Sequence, residues 1–262
     1  MQKEEKIKPE VLVILPTLGQ RIELLKQTLE SISAQDCQFD LVMVYPLKDK
    51  VTSDLARKYG ATSIDDPGGI SAAINVGIAY AKPWHTYIGW LGDDDLLAKG
   101  SLSTTSAALN KEFGAAVAYG YCDYIDHKGR KLFTSRAGAI APWLMTWGPN
   151  LMPLPGMLFR KSALEKVGNF DESNRYSMDL DVLLKMRKLH YTFVNTKTTL
   201  ASFRWHPEST SVASRKKSLS EAASVKKASL PVLARPFTLL WEVPIRIASL
   251  SAAKRLTAQA NK

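Results

Sequence analysis

Short apolar runs alternate with amphipathic stretches through the first third of the chain. Val11-Leu12-Val13-Ile14-Leu15 is a run of the kind buried on both faces of a parallel sheet, and Pro16 breaks it. Ile22, Leu25, Leu29 and Ile32 then recur at helical spacing to about Ala34. Leu41 to Val44 predicts a second strand. Val51 to Tyr59 predicts a second helix, closed by Gly60. A short strand at Ala61 to Ile64, a loop at Asp65 to Gly69 and a helix from Ile70 to Ala81 follow, with Pro83 as the stop. Thr86 to Leu91 is the next apolar run. Strands alternating with helices in this way predict an α/β fold with a doubly wound, mostly parallel sheet and flanking helices.

The pattern then changes. After a helix at Lys99 to Phe113, Ala115 to Asp123 and Lys131 to Thr134 read as strands flanking the turn Asp126-His127-Lys128-Gly129. Pro142 to Gly156 has no clear periodicity. Trp143, Met145, Trp147 and Met152 in it suit core packing better than an acceptor pocket. Gly156 to Arg160 reads as a strand, Ser162 to Val167 as a helical turn closed by Gly168, Ser177 to Leu189 as a helix, and Thr199 to Phe203 as a last strand. Residues 1–211 form one unit on this reading, and 212–262 a helical tail interrupted by Pro231 and Pro236. From Phe237 to Leu250 the polar positions Thr238, Glu242, Arg246 and Ser249 make one narrow stripe, and the rest is apolar. Such a helix either packs on the preceding domain or lies in a bilayer interface.

Charge separates the same two parts. The net charge is +10, yet residues 1–211 hold 25 Lys/Arg against 23 Asp/Glu, and residues 212–262 hold 10 against 2. A basic tail suits an acidic membrane surface or partner. The neutral body lacks a basic, aromatic-interleaved surface motif, so nucleic-acid binding is not expected. Cys37 and Cys122 match no metal or redox spacing, which suits a reducing compartment. The charged start Met1 to Lys6 and the short run Val11 to Leu15 do not make a signal peptide, and no run reaches the ~20 apolar residues of a membrane span. A cytoplasmic protein, free or peripheral on the cytoplasmic membrane face, is expected.

The chemistry starts at Trp90-Leu91-Gly92-Asp93-Asp94-Asp95-Leu96-Leu97. Three adjacent carboxylates repel unless water covers them or a positive charge lies between them. They follow an apolar strand, where open α/β sheets form their ligand crevice. Carboxylates there suit Mg²⁺ or Mn²⁺ shared with substrate phosphates. A second carboxylate is out of place. On the helix from Ser177, a good N-cap, Asp179 shares its face with Val182, Leu183 and Met186, while Asp181 faces Lys185 and Lys188. An inward carboxylate is costly unless it is paired, as with Arg160 or Arg204, or opens on a polar cleft, where desolvation gives it the raised pKa a general base needs. Arg204 to Ser211 packs Arg, His and several hydroxyls together, the composition of a loop that grips phosphate oxygens.

Together these stretches resemble the family 2 glycosyltransferases, inverting enzymes with the GT-A nucleotide-sugar fold. Leu15-Pro16-Thr17 resembles the family's Pro-Thr after the first strand, and Gly69 to Ile78 its Gly-Ile-x-Asp-Ala-x-Asn-x-Gly-Ile helix. Leu91 to Leu97 resembles its Asp-x-Asp region. Gly168-Asn169-Phe170-Asp171-Glu172, leading to Met178 to Asp181, resembles its Gly-Gly-Phe-Asp-Glu segment and acceptor-side Asp helix. Arg204 to Ser211 resembles its Arg-x-His-x-x-Ser-x-Ser ending. The resemblance spans about residues 10 to 211.

It implies a metal-dependent transferase using Mn²⁺ or Mg²⁺, a nucleotide-sugar donor, and a glycan or lipid-linked acceptor. It further implies Asp179 as general base, and Pro16, Thr17, Arg21, Asp66, Asn75, Asp93, Asp94 and Arg204 around the nucleotide sugar. Asp95, Asp93 and His206 are implied at the metal. Three departures stand out. Tyr45-Pro46-Leu47-Lys48-Asp49 replaces the usual acidic turn after the second strand, Ala72 stands where an Asp is common, and Arg21 is displaced from the usual place after Pro-Thr. They leave room for a non-catalytic nucleotide-sugar-binding protein of the same fold. A nucleotidyltransferase would want a glycine-rich basic loop after the first strand, and Pro16 to Arg21 is a poor one.

Overall fold

The computed structural model describes residues 8–206, 209 and 213–260. Four strands build one half of a nine-stranded sheet: β1 (Val11–Pro16), β2 (Phe39–Tyr45), β3 (Thr62–Asp65) and β4 (Tyr87–Trp90), parallel and in the order β3-β2-β1-β4. The other half contains β5 (Leu96–Leu97), β6 (Ala115–Ile125), β7 (Lys131–Ser135), β8 (Leu158–Arg160) and β9 (Thr192–Arg204). Beyond β4 the order is β8-β6-β9-β5, with β7 paired to β6. β6 and β9 run with the first half, while β5, β7 and β8 run against it. The sheet is therefore mixed but mostly parallel, as the alternating pattern predicts.

β1 shows why the central runs are apolar without alternation. Leu12 and Ile14 enter one core, against Ala73, Ile74 and Ile78 of α3 (Ile70–Ala79). Val11, Val13 and Leu15 enter the other, against Leu25, Leu29 and Ile32 of α1 (Ile22–Ser33) and Leu55 and Ala56 of α2 (Lys50–Lys58). Each such side chain contributes roughly 1.5–3 kcal/mol on full burial. Gly77 sets the approach of α3 to β1, because a Cβ there would lie 2.6 Å from Ile14 Cγ2.

The remaining helices are α4 (Ser101–Lys111), α5 (Ala141–Trp147), α6 (Lys161–Lys166), α7 (Met178–Lys188), α8 (Arg215–Ser229) and α9 (Leu239–Ala260), with a 3₁₀ segment at Val232–Thr238 before the last. Two elements depart from the sequence pattern. α5 forms inside the Pro142 to Gly156 stretch, with a proline in its first turn, where no N–H is needed. β9 starts seven residues before the expected Thr199, because Thr192 to Asn195 pair with β6 through the backbone, ahead of a bulge at Thr196 to Thr198, while their side chains stay at least partly exposed. Of the four large side chains in the aperiodic stretch, Met145 and Met152 are buried and Trp143 is exposed.

The tail docks on the preceding residues. Glu221 Oε1 accepts the Tyr176 and Ser177 backbone N–H groups, both at 2.7 Å, at the start of α7. Ser177 therefore does not cap through its hydroxyl, which reaches Ser218 O at 3.4 Å instead. Lys226 donates to Gly148 O at 2.6 Å and pairs with Glu242 at 3.1 Å. Trp205 Nε1 donates to Thr257 Oγ1 at 3.1 Å, and Trp147 meets Trp241 edge-on. Among the described residues no helix is long and apolar enough to cross a membrane.

Candidate active site

The carboxyl ends of β1 and β4 open on a cleft of about 1320 Å³. Its walls carry Pro16, Thr17, Arg21, Asp66, Asp93, Asp94, Asp95 and Asp179. The three adjacent aspartates are nonetheless nearly buried, and the neighbouring elements explain how their charge is held. Thr17 Oγ1 donates to Asp93 Oδ2 at 2.6 Å, and Arg21 Nη2 donates to Asp93 Oδ1. Arg21 Nη1 donates to Asp94 Oδ2 at 2.6 Å, and His206 Nε2 lies 2.9 Å from the same oxygen. Asp95 Oδ1 accepts the Arg204 backbone N–H at 2.9 Å, and Thr28 Oγ1 donates to the Asp95 carbonyl at 2.8 Å.

These contacts give the aspartates different acidities. Burial lifts Asp93 above the ordinary carboxylate value, against the pull of Arg21 and Thr17. Burial pushes Asp94 the same way, but the His206 hydrogen bond and the Arg21 and His206 charges win and leave it low. Asp95 is driven well above the ordinary value by burial and by Asp94 beside it. Burial works against the charge on Arg21, yet its two aspartates hold its proton more firmly than usual.

Asp179 lies in the first turn of α7 and lines the same cleft. Its carboxylate makes no side-chain hydrogen bond or ion pair among the described residues. Neither suggested partner reaches it. Arg160 donates to the carbonyls of Leu109 and Ala115, and Arg204 to those of Asp94, Asp126 and His127. Burial raises the Asp179 pKa, the backbone N–H groups of Leu180 and Asp179 oppose the rise, and the Glu221 charge adds to it. Asp181 pairs with Lys185 at 2.6 Å, as its helix face predicts.

Two expected ligands are spent elsewhere. The Arg204 side chain is buried behind the aspartate turn, with its guanidinium satisfied by three carbonyls and by Gln27 Oε1 at 2.8 Å, so it does not reach the cleft. Asn75 locks α3 to the loop between α6 and α7: its amide donates to Phe170 O at 2.8 Å and accepts from Phe170 N at 3.1 Å. The asparagine of the Gly-Ile helix is thus a fold contact here. His206 is buried against Asp94 and Arg21. Of the loop that follows, Pro207, Glu208, Thr210 and Ser211 lie outside the described residues.

Three cleft-lining carboxylates with an imidazole behind them are the hard-oxygen and nitrogen donors that suit Mn²⁺ or Mg²⁺. Asp95 Oδ2 has no hydrogen-bond donor among the described residues. In the observed arrangement no three such side chains converge on one point among the described residues, and the Arg21 guanidinium supplies the positive charge between Asp93 and Asp94. The donor types suit a divalent ion, while their observed placement answers the charge with Arg21.

The sequence reading missed several members of the site. Gln27, Thr28 and Glu221 carry no motif, and only the folded chain places them. Arg175, Arg215, Lys226, Glu242, Arg246 and Ser249 also line the cleft, and five of these six belong to α8 and α9.

No family model matches the chain. It is 25% identical over 218 residues to an uncharacterized glycosyltransferase of Rickettsia typhi, and equally to one of Rickettsia prowazekii, covering 76% of this chain and 65% of each relative. The chain thus spans about two thirds of the length of these relatives. Among solved structures, residues 1–349 of S. aureus TarS superpose with a TM-score of 0.63 at 17% identity, covering 92% of this chain and 72% of that one. The mannosyltransferase PcManGT from Pyrobaculum calidifontis, in complex with GDP-Man and Mn²⁺, superposes with a TM-score of 0.63 at 17% identity, covering 95% and 76%. The chain is glycosyltransferase-like in sequence and in fold.

Proposed function

We propose that the chain is an inverting glycosyltransferase. It would move a sugar from a nucleotide-sugar donor to a hydroxyl of a glycan or lipid-linked acceptor, in cell-surface polysaccharide or glycolipid assembly. One observation carries the reading: Asp179 and the Asp93-Asp94-Asp95 turn, 84 residues apart at their nearest, line one cleft. A single displacement at the anomeric carbon needs a base on one side and charge stabilisation of the leaving group on the other.

In this reading the acceptor oxygen attacks the anomeric carbon while its proton passes to Asp179. The bond from that carbon to the diphosphate oxygen breaks, and its electron pair leaves with the nucleoside diphosphate. The desolvation that raises the Asp179 pKa makes it a better base than an exposed carboxylate. Pro16, Thr17 and Asp66 would line the nucleotide site, with Arg21 and Asp94 beside the diphosphate. Asp95 and Asp93 would hold Mn²⁺ or Mg²⁺, which would stabilise charge on the leaving diphosphate. Residues 1–211 would be the catalytic domain and 212–262 a tail that completes its acceptor side, in a protein of the cytoplasm or the cytoplasmic membrane face.

Two neighbours suggest donors to try first, since TarS residues 1–349 are solved in complex with UDP-GlcNAc and PcManGT in complex with GDP-Man. Binding and hydrolysis would be measured over a donor panel with Mn²⁺, beside Asp95→Ala and Asp179→Asn. Metal-dependent turnover lost in both variants is the expected result. Donor binding without turnover, with acceptor extracts present, would replace the transferase by a nucleotide-sugar-binding protein. No affinity for any donor would overturn both.

A further inference from the structure

α9 carries apolar side chains around most of its circumference, and part of them is left on its outer side. Its polar stripe faces the protein: Glu242, Arg246 and Ser249 line the cleft, and on the same face Thr257 accepts from Trp205 and Ala260 is buried. The outer side carries Leu240 and Ile247, with Val243 between them at the rim of the cleft, all three exposed. Leu240 is 73% and Ile247 61% exposed, and the 3₁₀ segment before them adds Leu233 at 88% and Phe237 at 58%. A helix normally turns its apolar stripe to the core and its polar residues to water. Here apolar side chains are left on the outward face.

Charge identifies the medium on that side. Lys254 and Arg255 lie exposed two turns beyond Ile247, and Lys216, Lys217 and Lys227 are exposed on α8. The two acids of residues 212–262 are both engaged internally, Glu221 at the start of α7 and Glu242 on Lys226. The outward surface therefore presents apolar side chains among cations, with no acid of the tail free to repel an anion. Apolar contact combined with basic residues is the make-up of a surface that lies in the interface of an anionic bilayer. We propose that the outer face of α9 and the 3₁₀ segment before it form a docking surface for an anionic lipid bilayer. Since the inner face of the same helix lines the cleft, docking would hold the cleft beside the bilayer.

The test is co-sedimentation of the full chain, without nucleotide, with vesicles of phosphatidylcholine alone and of phosphatidylcholine with about one third phosphatidylglycerol. Binding to the acidic vesicles and much weaker binding to neutral ones is expected. Leu233→Ser, Phe237→Ser, Leu240→Ser and Ile247→Ser together should weaken it by roughly tenfold or more. These positions are outside the cleft walls, so donor binding should be unchanged and reports that the variant is folded. Lys254→Gln with Arg255→Gln, at exposed positions, gives an independent reading, with about a fivefold loss for each charge removed. No binding to acidic vesicles would overturn the proposal, as would binding that both sets of variants leave intact. A dimer seen by light scattering and dissolved by the serine substitutions, without vesicle binding, would assign the face to a second copy instead. Vesicle binding by a chain with no nucleotide-sugar affinity would keep this proposal and remove the transferase reading.

Discussion

Arg204 gives its backbone N–H to Asp95 Oδ1 at 2.9 Å, and its side-chain Nε returns to the Asp94 carbonyl at 3.0 Å. One residue at the end of β9 therefore grips two consecutive residues of the turn after β4, and β5 pairing with β9 continues the grip at Leu96 and Leu97. Three adjacent carboxylates are an electrostatic liability. A buried guanidinium behind them, with Arg21 in front, lets the turn keep one shape.

Arg204→Met should therefore unfold the turn rather than merely weaken a ligand. Its loss leaves several buried carbonyls without donors and removes a positive charge close to Asp94 and Asp95, a cost of about 3 kcal/mol or more. The melting temperature should fall by several degrees, and donor affinity with it. An arginine that only gripped the diphosphate would raise KM and leave thermal stability unchanged, so the two measurements separate the roles.

Arg21→Met tests the charge in front of the turn. The guanidinium is a quarter exposed, which reduces its worth below that of a fully buried pair, to about 2 kcal/mol. Without it Asp93 and Asp94 face each other with only His206 and Thr17 as donors. Mn²⁺ should then raise the melting temperature of the variant more than that of the wild type, because a ligand that binds only the folded state stabilises it by mass action. Equal metal responses would show that Arg21 and the ion do not answer the same charge.

The sequence made the parallel half of the sheet legible because β1, β2 and β4 are buried on both faces, and such runs leave a continuous apolar signature. The aspartate turn and the inward face of Asp179 were legible for a related reason, since charge at an apolar position needs an explanation. β9 was half hidden: from Thr192 to Asn195 it is held by backbone pairing with β6, and a bulge before Thr199 breaks any side-chain period. The motif places Arg204 and Asn75 at the ligand, yet the fold spends both on its own backbone, because motif position does not reveal which way a long side chain turns. The α9 stripe was visible, but not that it faces inward.

Glu221→Ala tests how the tail positions the acceptor side. The carboxylate accepts two backbone N–H groups where α7 begins, two residues before Asp179. Its removal should cost about 1–2 kcal/mol, as the loss of a helix cap does. Turnover should fall more than donor affinity, since the donor half of the cleft makes no contact with Glu221. A fall in donor affinity of the same size would argue instead for a general loosening of the fold.

Asp179→Asn should remove activity and at the same time stabilise the protein. As general base the carboxylate must be ionised, so turnover in the wild type should rise with pH through its raised pKa, above the ordinary value of an aspartate. The amide variant should lose about 10²–10⁴-fold in turnover at neutral pH, with donor affinity kept. Stability moves the other way. Folding raises the pKa of Asp179 by burying it, so the folded state binds the proton more tightly and wild-type stability falls as pH rises through the interval between the unfolded and folded values. Below that interval both states are protonated, and the variant should match the wild type; above it the neutral amide avoids the desolvated charge, and the variant should melt higher. Thermal melts from pH 3 to 8, run beside the activity profile, check both signs on the same residue. Unchanged turnover, or a melting difference that shrinks rather than grows with pH, would remove Asp179 from the role of desolvated base.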